Sequence, residues 1–90
     1  MDYWAECDLA WDLADAISVV VSDRERSELY TIIGGGDSYR AIDTLLGIVA
    51  RVDVLVSPDL VQKLTDWLAA YAGSMDAARL RVLLDAVRSS

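Results

Sequence analysis

Apolar residues recur at helical spacing along most of this chain, and short polar or glycine-rich stretches interrupt them. In the segment that opens at Ser38, residues Ala41, Ile42, Leu45, Val49 and Val52 share one face, opposite Arg40, Asp43, Thr44 and Arg51. Extending that helix would put Asp53 on the apolar stripe and Val54 on the polar side, so it is predicted to stop near Val52. Further on, Leu60, Val61, Leu64, Trp67, Leu68 and Tyr71 follow the i, i+3, i+4, i+7 pattern, with Asp59 four residues before Lys63 on the outer side. Leu80, Leu83, Leu84 and Val87 form a last stripe. Arg81, Asp85 and Arg88 face away from it, and Arg88 is placed to complement the helix C-terminal dipole. A shorter second segment turns Leu29 and Ile33 inward with Tyr30 and Ile32 flanking, and the first gathers Leu9, Leu13, Ala16, Ile17 and Val20.

The boundaries carry recognisable stop and start chemistry. Ser22 and Glu25 have the spacing of a capping box, in which hydroxyl and carboxylate each satisfy an orphan backbone N–H. Gly34, Gly35 and Gly36 form a turn, and Asp37 or Ser38 caps the third helix. Ser57 precedes Pro58 as N-cap before a proline at the first helical position. Gly73 is read as the residue that closes the fourth helix, and Ser74 as the cap of the fifth. These signals predict an all-α fold, a compact four- or five-helix bundle in a single helical domain over residues 1–90. Two β-branched runs compete with it. An α+β alternative pairs short strands near 17–22 and 52–57, the second of which alternates with period two.

Composition sharpens the picture. Hydrophobic residues make up 54% of only 90 positions, more than so small a body can hide, which raises the expectation of a homo-oligomer such as a homodimer, or of an obligate partner. The net charge is −7, and it is unevenly placed. Six acids (Asp2, Glu6, Asp8, Asp12, Asp15, Asp23) and no base precede Arg24, so nearly all the excess lies in the first quarter. That balance argues against direct binding to nucleic acid or to an anionic membrane and suits a basic protein partner. There is no histidine, and Cys7 is the only cysteine. Histidine-based triads, the usual zinc sets and an internal disulfide are therefore excluded, and no cofactor or metal is expected. The opening residues are acidic where a secretion signal needs basic ones, and no apolar run reaches membrane-spanning length, so a cytoplasmic protein is expected. Seven arginines to one lysine, with no asparagine, suit a bacterium or phage of high GC content.

The first segment carries the one unusual pattern. Trp4 and Trp11, seven residues apart, fall on the side opposite Leu9 and Leu13, with Asp8 and Asp15 beside them. Cys7, Ala14 and Ser18 line one flank of the indole pair, and Asp12 lies on the other. Burying each indole is worth on the order of 1.5–3 kcal/mol, so the pattern calls for something to cover it. Three covers satisfy it: the fourth and fifth helices of the same chain, a second copy, or a different protein.

Other chemistry is thin. Cys7 sits between Glu6 and Asp8 with no base to activate it. Asp8, Asp12 and Asp15 on a rigid helix lack the loop carbonyls of a calcium or magnesium site. The Gly34–Ser38 stretch has no lysine after it and carries Asp37 where an anion would sit. The expected function is a non-enzymatic protein–protein interaction module, an adaptor-, immunity- or antitoxin-like accessory protein. Its expected interface comprises Trp4, Cys7, Asp8, Trp11, Asp12 and Asp15. The alternative is an acidic decoy that imitates phosphate spacing with Asp2, Glu6, Asp8, Asp12 and Asp15 to block a nucleic-acid-binding protein.

Overall fold

Why the predicted helices form is visible at their first turns. In the computed structural model, which describes residues 3–52 and 55–89, the helices are α1 (Tyr3–Ile17), α2 (Asp23–Gly34), α3 (Ser38–Arg51), α4 (Pro58–Ala70) and α5 (Ala77–Asp85). Both halves of the Ser22–Glu25 capping box are present at the start of α2. Asp37 accepts from the Arg40 N–H at 3.2 Å, and Ser57 accepts from the Leu60 N–H at 3.2 Å ahead of Pro58. Gly36 has φ +90°, and the Tyr3 hydroxyl lies 3.3 Å from where a Cβ would be, so both conformation and space call for glycine there.

The fold is all-α. Helices α1 and α3 pack against each other at the centre; α2 covers both, α4 covers α1, and α5 joins α3 to α4. One contiguous core draws on Leu9, Leu13 and Ile17 of α1, Leu29 and Ile33 of α2, Ile42, Leu45 and Val49 of α3, Leu64 and Trp67 of α4, and Leu80 and Leu84 of α5. The radius of gyration is 12.0 Å, close to the ~12 Å expected of a globular chain this long. Among the described residues no helix is long and apolar enough to cross a membrane.

Several local expectations are corrected. The stretch 17–22 is not a strand: α1 ends at Ile17 and the chain turns, leaving Val19 and Val20 exposed, so Val20 does not extend the core stripe. An Arg26 N–H on the second helix donates to the Ser18 carbonyl and holds that turn. The 52–57 stretch does extend, but only as the two-residue strand β1 (Leu55–Val56). It pairs in parallel with β2 (Arg88–Ser89) in the register Leu55 to Arg88 and Val56 to Ser89. Asp53 and Val54 lie outside the described residues. α3 ends at Arg51 with Val52 as its C-cap, as the pattern predicts.

Gly73 does not adopt a left-handed conformation, and the turn after α4 is closed by backbone bonds from Tyr71 N–H to Leu68 and from Ser74 N–H to Tyr71. Ser74 is not the cap of α5, which begins at Ala77 behind Asp76 without a side-chain cap. Arg88 belongs to β2, beyond the end of α5 at Asp85. Lys63 does not pair with Asp59; it reaches Asp12 on α1 at 3.3 Å.

Candidate protein-docking face

The central position of α1 decides which of its side chains remain available. Leu9, Ala10, Leu13, Ala14 and Ile17 are buried against α2, α3 and α4, and these positions occupy one side of the helix, an arc of roughly 140° at ~100° per residue. What stays outside is one strip: Trp4, Asp8, Trp11 and Asp15, with Asp12 at its edge. The Trp4 ring is 74% exposed, held edge-on to Tyr3 at 5.3 Å. Trp11 is 38% exposed, resting one face on Tyr30 of α2 at 5.3 Å. Trp4 is thus largely open, whereas Trp11 is more than half covered within its own chain, in part by Tyr30.

The charges around the rings are not equivalent. Asp8 and Asp15 are exposed and form no ion pair among the described residues, whereas Asp12 is partly neutralised by the Lys63 ammonium. Asp12, Asp15, Asp59, Lys63 and Leu60 line a groove of ≈ 380 Å³ between the second half of α1 and the start of α4. Of the flank residues, Ala14 is consumed by the core and Cys7 is half-buried against it. The Ser18 hydroxyl donates to the Asp15 carbonyl at 2.9 Å. The expected site residues therefore separate into an exposed set, Trp4, Asp8, Trp11, Asp12 and Asp15, and Cys7, which faces inward. Asp2, named in the acidic series, lies outside the described residues.

One polar feature is not anticipated by the sequence pattern as read above. Glu6 projects into the bundle, where its Oε2 accepts from Trp67 Nε1–H at 2.8 Å and from the Tyr71 hydroxyl at 2.6 Å. Trp67 and Tyr71 pack tilted or edge-on against Tyr39 and each other with centroids 4.8–5.4 Å apart, so the two rings that hold the carboxylate belong to a three-ring cluster. The hydrogen bond to Glu6, followed by burial, pushes the Tyr71 phenol up to about 12. Burial, then the nearby Asp76 carboxylate, raises that of Tyr39. A signal for it exists: on a helical wheel Glu6 falls between Leu13 and Ile17, inside the apolar stripe, where a carboxylate needs donors. Beside this cluster Arg79 of α5 clasps Asp43 of α3 with two bonds of 2.9 and 2.7 Å.

A second groove, ≈ 340 Å³, opens between α4 and α5 and is lined by Leu68, Ala69, Ala72, Ala78 and Arg81 among others. Among the described residues no group of three or more histidine, cysteine or carboxylate side chains is arranged to hold a metal ion. Comparison with protein-family models, with curated proteins and with solved structures finds no match for the chain.

Proposed function

We propose that this chain is a non-enzymatic protein–protein interaction module that docks through the exposed strip of α1 and self-associates. The observation that supports this reading is the open indole of Trp4 and the part-exposed indole of Trp11, beside the carboxylates of Asp8 and Asp15, on the face of α1 opposite its buried side. Exposed tryptophans on a rigid element make efficient anchors, because much apolar area is buried for little loss of side-chain freedom. Fixed carboxylates around them reject acidic surfaces and favour a partner that brings a cation. A lone cysteine suits the reducing cytoplasm, where such an adaptor-, immunity- or antitoxin-like protein would act.

The decoy reading has less support. It needs a row of outward carboxylates, yet Glu6 is turned inward and Asp12 is engaged by Lys63. Sedimentation of the Trp4→Ala/Trp11→Ala double variant, alongside its far-ultraviolet circular dichroism, tests the proposal. Assembly or partner capture is expected to disappear while helical content stays. A double variant that unfolds instead would make the indoles part of the fold and remove the docking face.

A further inference from the structure

We infer that the occupant of the α1 strip is a second copy of this chain, which receives the Trp4 ring in its groove between α4 and α5. The inference rests on the proposed docking role of the strip and names its acceptor. Anchor aromatics need a pocket to fill, and two grooves stand out on the described surface. Charge separates them. The α1–α4 groove carries Asp12, Asp15 and Asp59, so an incoming strip bearing Asp8 and Asp15 meets like charge there.

The α4–α5 groove has the opposite character. Among the described residues that line it, Arg81 alone is charged, and the rest is alanine, leucine and one threonine. At ≈ 340 Å³ it falls in the size range that seats small aromatic groups, roughly 300–1,000 Å³. Val82 on the same helix is exposed and adds apolar surface. Arg81 touches Asp85 at 3.5 Å in an exposed pair, which holds the guanidinium weakly and leaves it able to meet Asp8 of the second copy. Strip against strip would instead place Asp8 and Asp15 opposite their own kind. Strip into groove satisfies both open surfaces without that clash.

The test uses the full chain and two variants measured by sedimentation. Ala69→Glu puts a carboxylate into the groove at an exposed helical position that tolerates it. Trp4→Ala/Trp11→Ala removes the strip and keeps the groove. The wild-type chain is expected to assemble, more strongly as added salt screens the repulsion between two bodies of charge −7. Each variant alone is expected to remain monomeric with wild-type circular dichroism, and their equimolar mixture to form a two-chain species, since one intact strip then faces one intact groove. If Ala69→Glu assembles like wild type while the tryptophan variant does not, the strip reading stands and the groove is wrong. A wild-type chain that stays monomeric, or a mixture that stays at the mass of one chain, overturns the second copy as occupant.

Discussion

Glu6 shows how one half-buried carboxylate can tie two helices together. Its Oε2 satisfies the Trp67 indole N–H and the Tyr71 hydroxyl, joining the first turns of α1 to the last turn of α4. Glu6→Ala leaves a fully buried indole N–H without a partner and is expected to cost about 2–3 kcal/mol in urea denaturation. Glu6→Gln keeps a carbonyl acceptor and should lose clearly less. The same contact sets an alkaline limit. Tyr71 ionises at the ordinary 10.0 in the unfolded chain and at about 12 in the fold. Between those values the unfolded chain has released the proton and the folded one retains it. The contribution is therefore complete below pH 10 and declines as pH climbs to about 12. Tyr71→Phe should flatten that part of a stability–pH profile. Ser38 offers the opposite case: its hydroxyl is buried with no hydrogen-bond partner among the described residues, so Ser38→Ala should be neutral or mildly stabilising in the same assay.

At the scale of elements, the helices were legible because period and punctuation agreed. The capped starts of α2, α3 and α4 lie where Ser22, Asp37 and Ser57 put them. Ser57→Ala should remove about 1 kcal/mol of stability, and Gly36→Ala about 1–3 kcal/mol through its φ of +90°. What could not be read depended on distant neighbours. α5 starts behind Asp76, which Arg79 reaches at 3.6 Å while it clasps Asp43 of α3, and not behind Ser74. Lys63 prefers Asp12, brought close by packing, over Asp59 on its own helix. The alternation after Val52 signalled extended chain, yet nothing local names Arg88 and Ser89 as the partner. The β-branched run after Ile17 pairs with no strand among the described residues and turns instead, with Val19 and Val20 exposed and Val21 packed against the core. The strip itself was legible, since Trp4 and Trp11 oppose the core stripe. Trp11's rest on Tyr30, and the inward turn of Cys7 and Ala14, were not, because they depend on how α2 and α3 flank α1.

The whole molecule combines a net charge of −7 with an exposed indole on α1 and one largely apolar groove, so its associations should respond to salt in a way that reveals the partner. Capture of a basic protein weakens as ionic strength rises; contact between two copies of this chain strengthens first. The three tryptophans provide an internal gauge of which surface is used. Trp67 is fully buried with its N–H on Glu6, whereas Trp4 and Trp11 face outward. Following the three indole N–H resonances by NMR, from dilute to concentrated protein, reads that gauge directly. In dilute protein the Trp67 signal should exchange slowly with water and those of Trp4 and Trp11 quickly; on assembly the latter two should shift and become protected while Trp67 stays put. Three protected signals in the dilute monomer, or assembly that leaves Trp4 and Trp11 unmoved, would contradict a docking face on α1.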